Sequence, residues 1–378
     1  MKQEFHEAAS SLYNSYTRKW KEDGGKILGY TCSYAPEEVI YAAGMLPCRL
    51  RGTGAASSEI SDTYFGPFIC SFPKCILQLA GEGTYRFLDG AVIAPGCDSM
   101  RRLDECWRKA GNEYEGTLPS FFFYMGIPHK VSEYSLRWFE EEIKKMAGSI
   151  EKHFGLSISE SSLRAAIKEY NRGRSFLKRL DEIRCSEGSP VSGADAMAAV
   201  LAGHSIPRSI YNGLLEEYID ELERGGIRPA AGGKRILLAG SAADDIRLVK
   251  LIEDEGAVVV ADTLCFGARF YSGLVDEGED PITALAKRYL THLSCPRMFG
   301  KYRERLEIIK EHALKARVQG VILQNIRFCD LHGSENGMLE KHLEALGIPC
   351  LKIERQYGPL SDTGRIRMRL NAFLEMIG

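Results

Sequence analysis

A cysteine, an aspartate and a histidine fall within four positions at Cys329-Asp330-Leu331-His332. They follow an apolar run, Val321-Ile322-Leu323, that opens after Gly320 and turns polar at Gln324-Asn325. Such a run reads as a buried strand of a parallel sheet. In open α/β sheets chemistry gathers beyond the carboxyl ends of strands, where loops meet and backbone groups are free. A thiol there is placed to react or to ligate a soft metal. It reads just as well as a buried free cysteine, a small hydrophobe at a strand end. A second stretch repeats the pattern: Ala91-Val92-Ile93-Ala94 as a strand, and Pro95-Gly96-Cys97-Asp98-Ser99 as the turn leaving it. A third thiol, Cys70, precedes an apolar helical stretch that ends near Gly81-Glu82-Gly83. Cys70, Cys97 and Cys329 are the three that best fit a shared site, although spacing alone does not select them. Thiolates are the ligands of iron–sulfur clusters, and their softness suits zinc as well. Three cysteines on a four-iron cluster would leave one iron open to another ligand, the logic of catalytic metal sites.

The elements that must position these thiols belong to a chain of 378 residues, long enough for two or three domains. A formal net charge of -2 argues against nucleic-acid or membrane-surface partners held by bulk charge. No run is apolar enough to span a bilayer, and Met1 to His6 lacks the order of a signal peptide, so a cytoplasmic location is expected. The 11 cysteines should then be reduced thiols, and no two form Cys-x-x-Cys.

In chain order, residues 1 to about 25 read as one amphipathic helix ending at Asp23-Gly24-Gly25. Strands are expected at 27–32, 46–50, 91–94 and 121–125, with a helix start at Pro36-Glu37-Glu38 and a surface loop over 53–62. From 132 to about 224 the pattern is helical. A second strand–helix alternation opens at Arg235, with strands at 235–241, 257–261, 321 onward and 350–353, and helices at 303–317, 338–346 and 364–377. The expectation is an α/β protein with two doubly wound parallel sheets: an N-terminal domain over 1–130, a helical connector over 131–232 and a C-terminal domain over 233–378.

Other motifs exclude more than they assign. Gly240-Ser241-Ala242-Ala243-Asp244 follows a strand like a phosphate-binding turn, but lacks both Gly-x-Gly-x-x-Gly and a Walker lysine. There is no Gly-x-Ser-x-Gly and no His-Glu-x-x-His, which removes several hydrolase classes. His292 and His332 read as hydrogen-bonded structural histidines, and Glu37 and Glu38 as carboxylates favoured by a helix dipole.

Several separated blocks, in order, resemble the 2-hydroxyacyl-CoA dehydratase and benzoyl-CoA reductase family. They are Gly29-Tyr30-Thr31-Cys32-Ser33-Tyr34-Ala35-Pro36-Glu37-Glu38, Pro95-Gly96-Cys97-Asp98, Ala261-Asp262-Thr263-Leu264-Cys265-Phe266-Gly267-Ala268-Arg269-Phe270, Phe328-Cys329-Asp330-Leu331-His332 and the tail from Arg365 to Glu375. The resemblance runs over nearly the whole chain. It implies two flavodoxin-like domains with a [4Fe-4S] cluster between them, held by the cysteines at the matching positions, Cys70, Cys97 and Cys329. It also implies an acyl-CoA substrate, a paralogous subunit or a second copy as partner, and an ATP-dependent iron–sulfur activator protein that delivers one electron. The reaction would be loss of water from a 2-hydroxyacyl-CoA through a ketyl radical. Ser33 is expected to contact substrate and Glu38 to handle a proton. The alternatives are a benzoyl-CoA-reductase-type subunit, a double-cubane reductase, for which Cys75 is the spare thiol, and a cluster-free α/β scaffold or binding subunit.

Overall fold

The computed structural model describes residues 2–225, 232–292, 295–358 and 362–378. Its strands form two four-stranded sheets in which every neighbouring pair is parallel. The first holds β1 (Ile27–Tyr30), β2 (Leu46–Arg49), β3 (Gly90–Ile93) and β4 (Phe121–Tyr124) in the order β2-β1-β3-β4. The second holds β5 (Lys234–Gly240), β6 (Ala257–Asp262), β7 (Gly320–Ile326) and β8 (Cys350–Arg355) in the matching order β6-β5-β7-β8. In each sheet the chain starts on an inner strand, steps to one edge and crosses back. The switch points therefore lie between β1 and β3 and between β5 and β7, where such sheets leave a crevice.

The helices are α1 (Gln3–Ser10), α2 (Ser15–Glu22), α3 (Glu37–Ala42), α4 (Glu59–Asp62), α5 (Ser71–Gly81) and α6 (Asp98–Glu113) around the first sheet. Between the sheets come α7 (Glu133–Phe154), α8 (Glu160–Cys185), α9 (Gly193–Ala202) and α10 (Arg208–Glu223). The second half of the chain carries α11 (Ile246–Asp254), α12 (Ala268–Tyr271), α13 (Pro281–Thr291), α14 (Tyr302–Lys315), α15 (Asp330–Glu344) and α16 (Thr363–Met376), of which α13 shares a core with Leu28, Tyr30 and Val92 of the first sheet. β1, β2, β3 and β6 are buried along their whole length, as parallel strands covered on both faces must be. One continuous apolar core takes in Ile27 and Ile93 of the first sheet, Ile236 and Ile322 of the second, and Leu201 and Tyr211 of the helices between. Each such side chain contributes about 1.5–3 kcal/mol of burial. The two α/β layers and their parallel order are those expected from the alternation of apolar runs and turns.

The structure corrects three local expectations. The single N-terminal helix is two, because Asn14 caps α2 and forms a capping box with Thr17. An asparagine at that position satisfies first-turn N–H groups better than a continuing helix would. The 53–62 stretch is not simply surface loop: α4 lies within it, and Ala55 is buried. The helix expected at Met338 begins at Asp330, directly after Cys329. Gly333, Ser334 and Gly337 weaken its local helix propensity, and packing against β7 and β8 overrides them.

The helices between the sheets are shared. α1 packs on α9, α10 on α8, and α13 on α7. The three-part division at 130/131 and 232/233 stays a proposal, and residues 226–231, beside the second boundary, lie outside the described set. Among the described residues no helix is long and apolar enough to cross a membrane.

Candidate functional site

Cys70, Cys97 and Cys329 occupy the same local position: each is the residue on which a helix begins. Cys70 caps α5, Cys97 leaves β3 and caps α6, and Cys329 leaves β7 and caps α15. The first-turn N–H groups of a helix have no partner within it and carry the positive end of its dipole, so an anionic sulfur is favoured there. The backbone N–H groups of Phe72, Met100 and His332 face the three sulfurs and favour their thiolates, although none closes to a full capping hydrogen bond. Burial dominates, and pushes all three thiols up to about 12.

The three also act on one another. Cys97 raises Cys70, Cys329 raises Cys97, and Cys70 raises Cys329, and the chain on either side of Cys70 meets the ends of β7 and β8, with the Phe68 ring edge-on to Phe328 at 5.6 Å and Ser71 Oγ donating to Gln356 at 3.1 Å. Among the described residues no set of three His, Cys, Asp or Glu side chains closes round a single ion. A cluster asks for another arrangement, with each thiolate on its own iron corner rather than all of them on one centre. The donor chemistry fits that demand: soft sulfurs, each beside helix N–H groups that offset thiolate charge. Bound iron would reverse the effect of burial and deprotonate its ligands.

Sequence reasoning missed further thiols here. Burial raises the Cys32 thiol, with Arg49 opposing, and Cys295 and Cys265 add to the rise. Cys295 also acts on Cys97 and Cys329. The available signal was position, since Cys32 and Cys265 both lie just beyond strand ends, after β1 and β6. Cys75 stands apart. It is buried with its Sγ against the Tyr357 carbonyl at 3.8 Å, and the groups acting on it are Asp244, Asp62 and Lys74 rather than other cysteines.

Ser33 follows β1, is 6 % exposed, and donates from Oγ to the Cys265 carbonyl at 3.2 Å, which joins the ends of the two sheets. Arg49 donates to the same carbonyl at 2.7 Å while stacking on Phe266. Arg297 strengthens the seam by donating to the carbonyls of Gly96, Ile127 and Pro128. On another side of the seam, Thr53 and Tyr357 both donate to Asp244 at 2.8 Å.

Glu38 is elsewhere. Its side chain is fully buried, Oε1 receives a hydrogen bond from Arg174, and Oε2 receives one from the Tyr289 hydroxyl at 2.7 Å. Burial would push its carboxyl up, but Arg174 and Arg288 outweigh burial and hold it below the usual range. Glu37, next to it, goes the other way: burial raises it despite Arg208 and the Tyr30 hydroxyl. The structure thus brings the three cysteines and Ser33 to the seam and leaves Glu38 in a packed ion pair between α3, α8 and α13.

The family described as 2-hydroxyglutaryl-CoA dehydratase, D-component, matches residues 32–377. The beta subunit of (R)-phenyllactyl-CoA dehydratase from Clostridium sporogenes is 25 % identical, with 94 % of this chain and 93 % of that one aligned. One of the subunits of benzoyl-CoA reductase from Thauera aromatica is also 25 % identical, over 89 % of this chain and 88 % of its own. The beta subunit of (R)-2-hydroxyglutaryl-CoA dehydratase from Acidaminococcus fermentans is 26 % identical, over 99 % and 98 % respectively.

Proposed function

This chain belongs to the family of the 2-hydroxyglutaryl-CoA dehydratase D-component, and from that premise we propose that it is the iron–sulfur subunit of a 2-hydroxyacyl-CoA dehydratase. The observation that carries the reading is the group of three helix-capping cysteines at the seam of two parallel sheets. The reaction is loss of water from a 2-hydroxyacyl-CoA through a ketyl radical, after one-electron activation by an ATP-dependent activator. The partner is a paralogous subunit or a second copy of this chain. Cys70, Cys97 and Cys329 hold a [4Fe-4S] cluster, which when bound supplies one electron at a time and an iron with a free coordination position.

The chain's own residues do the rest. Ser33 contacts the substrate: its hydroxyl lies at the seam and is held there by the Cys265 carbonyl. Buried Arg49 and Arg297 place positive charge beside the seam, where a thioester oxygen gaining negative charge is stabilised. Glu38 was expected to handle a proton, but both its oxygens are engaged. We assign it a positioning role instead: it pins α3, and with α3 the turn that carries Ser33. Glu38→Gln should then raise KM for the thioester with kcat little changed, whereas a proton carrier would lose kcat and alter its pH profile.

The reading is tested by iron and acid-labile sulfide content of anaerobically purified protein, with EPR before and after reduction. It expects about four irons per chain, lost in Cys329→Ser. About eight would favour the double-cubane alternative, with Cys32, Cys265 and Cys295 as nearby extra donors. No iron after reconstitution would leave a cluster-free scaffold. Similarity to the Thauera aromatica reductase supports a second reading, a benzoyl-CoA-reductase-type subunit. Turnover of aryl-CoA but not hydroxyacyl-CoA thioesters would select it.

A further inference from the structure

The sheet edges of the molecule are finished in different ways. β2 and β6 are buried along their whole length, and neighbouring chain takes up backbone groups at their edges: the Arg49 N–H donates to the His204 carbonyl at 3.1 Å, and the Val260 carbonyl accepts from Cys185 Sγ at 3.2 Å. β8 is open but carries exposed Lys352 and Glu354, charges of the kind that keep an edge from pairing. β4 has neither protection. Phe122, Phe123 and Tyr124 on it are half-buried, and the stretch from Gly116 to Pro128 contains no charged side chain.

The two faces of β4 are covered. Phe121 packs on Phe154 of α7 with ring centroids 5.1 Å apart, and Phe122 lies against Trp107 of α6 with Arg108 over its ring at 4.5 Å. The edge is not covered. Met125 donates its N–H to Ile93 at the end of β3, and strand alternation then turns the N–H and C=O groups of Phe122 and Tyr124 away from β3. Among the described residues no turn or loop carbonyl takes up either N–H. Large apolar side chains gather where β4 ends. Trp138 packs on Gly126, Tyr134 stands one turn before it on α7 and is 74 % exposed, and Phe299, whose N–H donates to the His129 carbonyl at 2.8 Å, is 79 % exposed. An uncharged aromatic edge with unpaired backbone groups is a template for another strand, and natural proteins cover or charge such edges unless they are used.

We propose that β4 is a dimerisation edge, paired antiparallel with β4 of a second copy of this chain across a two-fold axis through Phe123. Symmetry selects the occupant, because a two-fold brings the same patch of both copies together. With the axis at Phe123, Phe122 of each copy faces Tyr124 of the other, and each such pair exchanges both of its outward N–H···O=C bonds. The uncharged stretch from Gly116 to Pro128 then meets itself without like charges. Antiparallel pairing sends the carboxyl ends of the two joined sheets opposite ways, so each copy keeps its own cysteine group. The dimer is therefore independent of the thioester reading.

The test is analytical ultracentrifugation of the full, anaerobically purified chain at low micromolar concentration, where it should sediment at twice 42.1 kDa. A monomer there, as a subunit that pairs only with a paralogue would be, overturns the proposal whether or not any variant folds. Tyr124→Pro removes an N–H that β3 does not use, so it should leave the far-UV circular dichroism unchanged and weaken self-association at least about tenfold. Phe123→Cys should cross-link two chains under mild diamide oxidation, with the unaltered protein as the background for its native cysteines. Facing residues of a non-hydrogen-bonded pair lie about 4.5 Å apart between Cα atoms, within the roughly 4.4–6.8 Å of a disulfide. A dimer unmoved by Tyr124→Pro is held by another surface and overturns the β4 edge. A weakened dimer without the cross-link overturns the axis through Phe123.

Discussion

Arg174→Met isolates the buried pair that pins α3. The arginine is 4 % exposed and Glu38 is fully buried, so the substitution leaves a carboxylate in the core with one of its hydrogen bonds gone. The carboxyl then escapes its desolvation cost by taking up a proton. In the unfolded chain it ionises near 4.5. Protonating it at pH 7 spans the interval from 4.5 to 7 at about 1.4 kcal/mol per pH unit, so the variant should lose up to about 3 kcal/mol. That agrees with the ~3–5 kcal/mol typical of breaking a buried pair. Arg288, the second cation acting on Glu38, makes the figure an upper bound. The sign follows from linkage. In the variant the folded state binds a proton that the unfolded state lacks above pH 4.5, so stability falls as pH rises, by about 1.4 kcal/mol per unit. In the unaltered protein the folded carboxyl titrates below its unfolded value, so its contribution is present above about pH 4.5 and lost as pH falls further. Urea unfolding from pH 5 to 7.5, followed by far-UV circular dichroism, reads both slopes, and Arg174→Met with Glu38→Gln should recover most of the loss. A variant within about 0.5 kcal/mol of the unaltered protein at pH 7, with no added pH slope, would refute the argument.

Three further outcomes are expected. Gly240→Ala should prevent folding or cost more than about 3 kcal/mol, because Gly240 has φ +124° and an added Cβ would lie 1.8 Å from the Gln324 carbonyl oxygen; soluble yield and the urea midpoint check it. Phe328 adopts φ +66° immediately before Cys329, so Phe328→Ile should destabilise by about 1–2 kcal/mol through β-branching in the left-handed region, while Phe328→Asn stays closer to neutral; denaturation midpoints compare the two. Cys70→Ser and Cys97→Ser should each lose bound iron as Cys329→Ser does, whereas Cys75→Ser, away from the sulfur group, should keep it; iron retained in Cys97→Ser, or lost in Cys75→Ser, would redraw the ligand set.

What the sequence determined by itself was local. Apolar runs of strand length at Ile27, Ala91, Arg235 and Val321, separated by glycine and helical periodicity, suffice for two parallel sheets, since period and turn chemistry are properties of neighbouring residues. Cys97 and Cys329 were legible as strand-end thiols for the same reason, and the ordered motif blocks already marked the family. The tertiary structure alone decided the rest. That Cys329 starts a helix depends on α15 packing against β7 and β8, which outweighs the weak propensity of Gly333 and Gly337. That Cys295 joins the sulfur group depends on a loop more than two hundred residues from Cys32 and Cys70 in sequence. Glu38 read as a first-turn carboxylate favoured by the helix dipole until α8 and α13 supplied Arg174 and Tyr289. Burial and charge pairing are set by what the fold brings alongside a residue, and the order of the chain does not carry that.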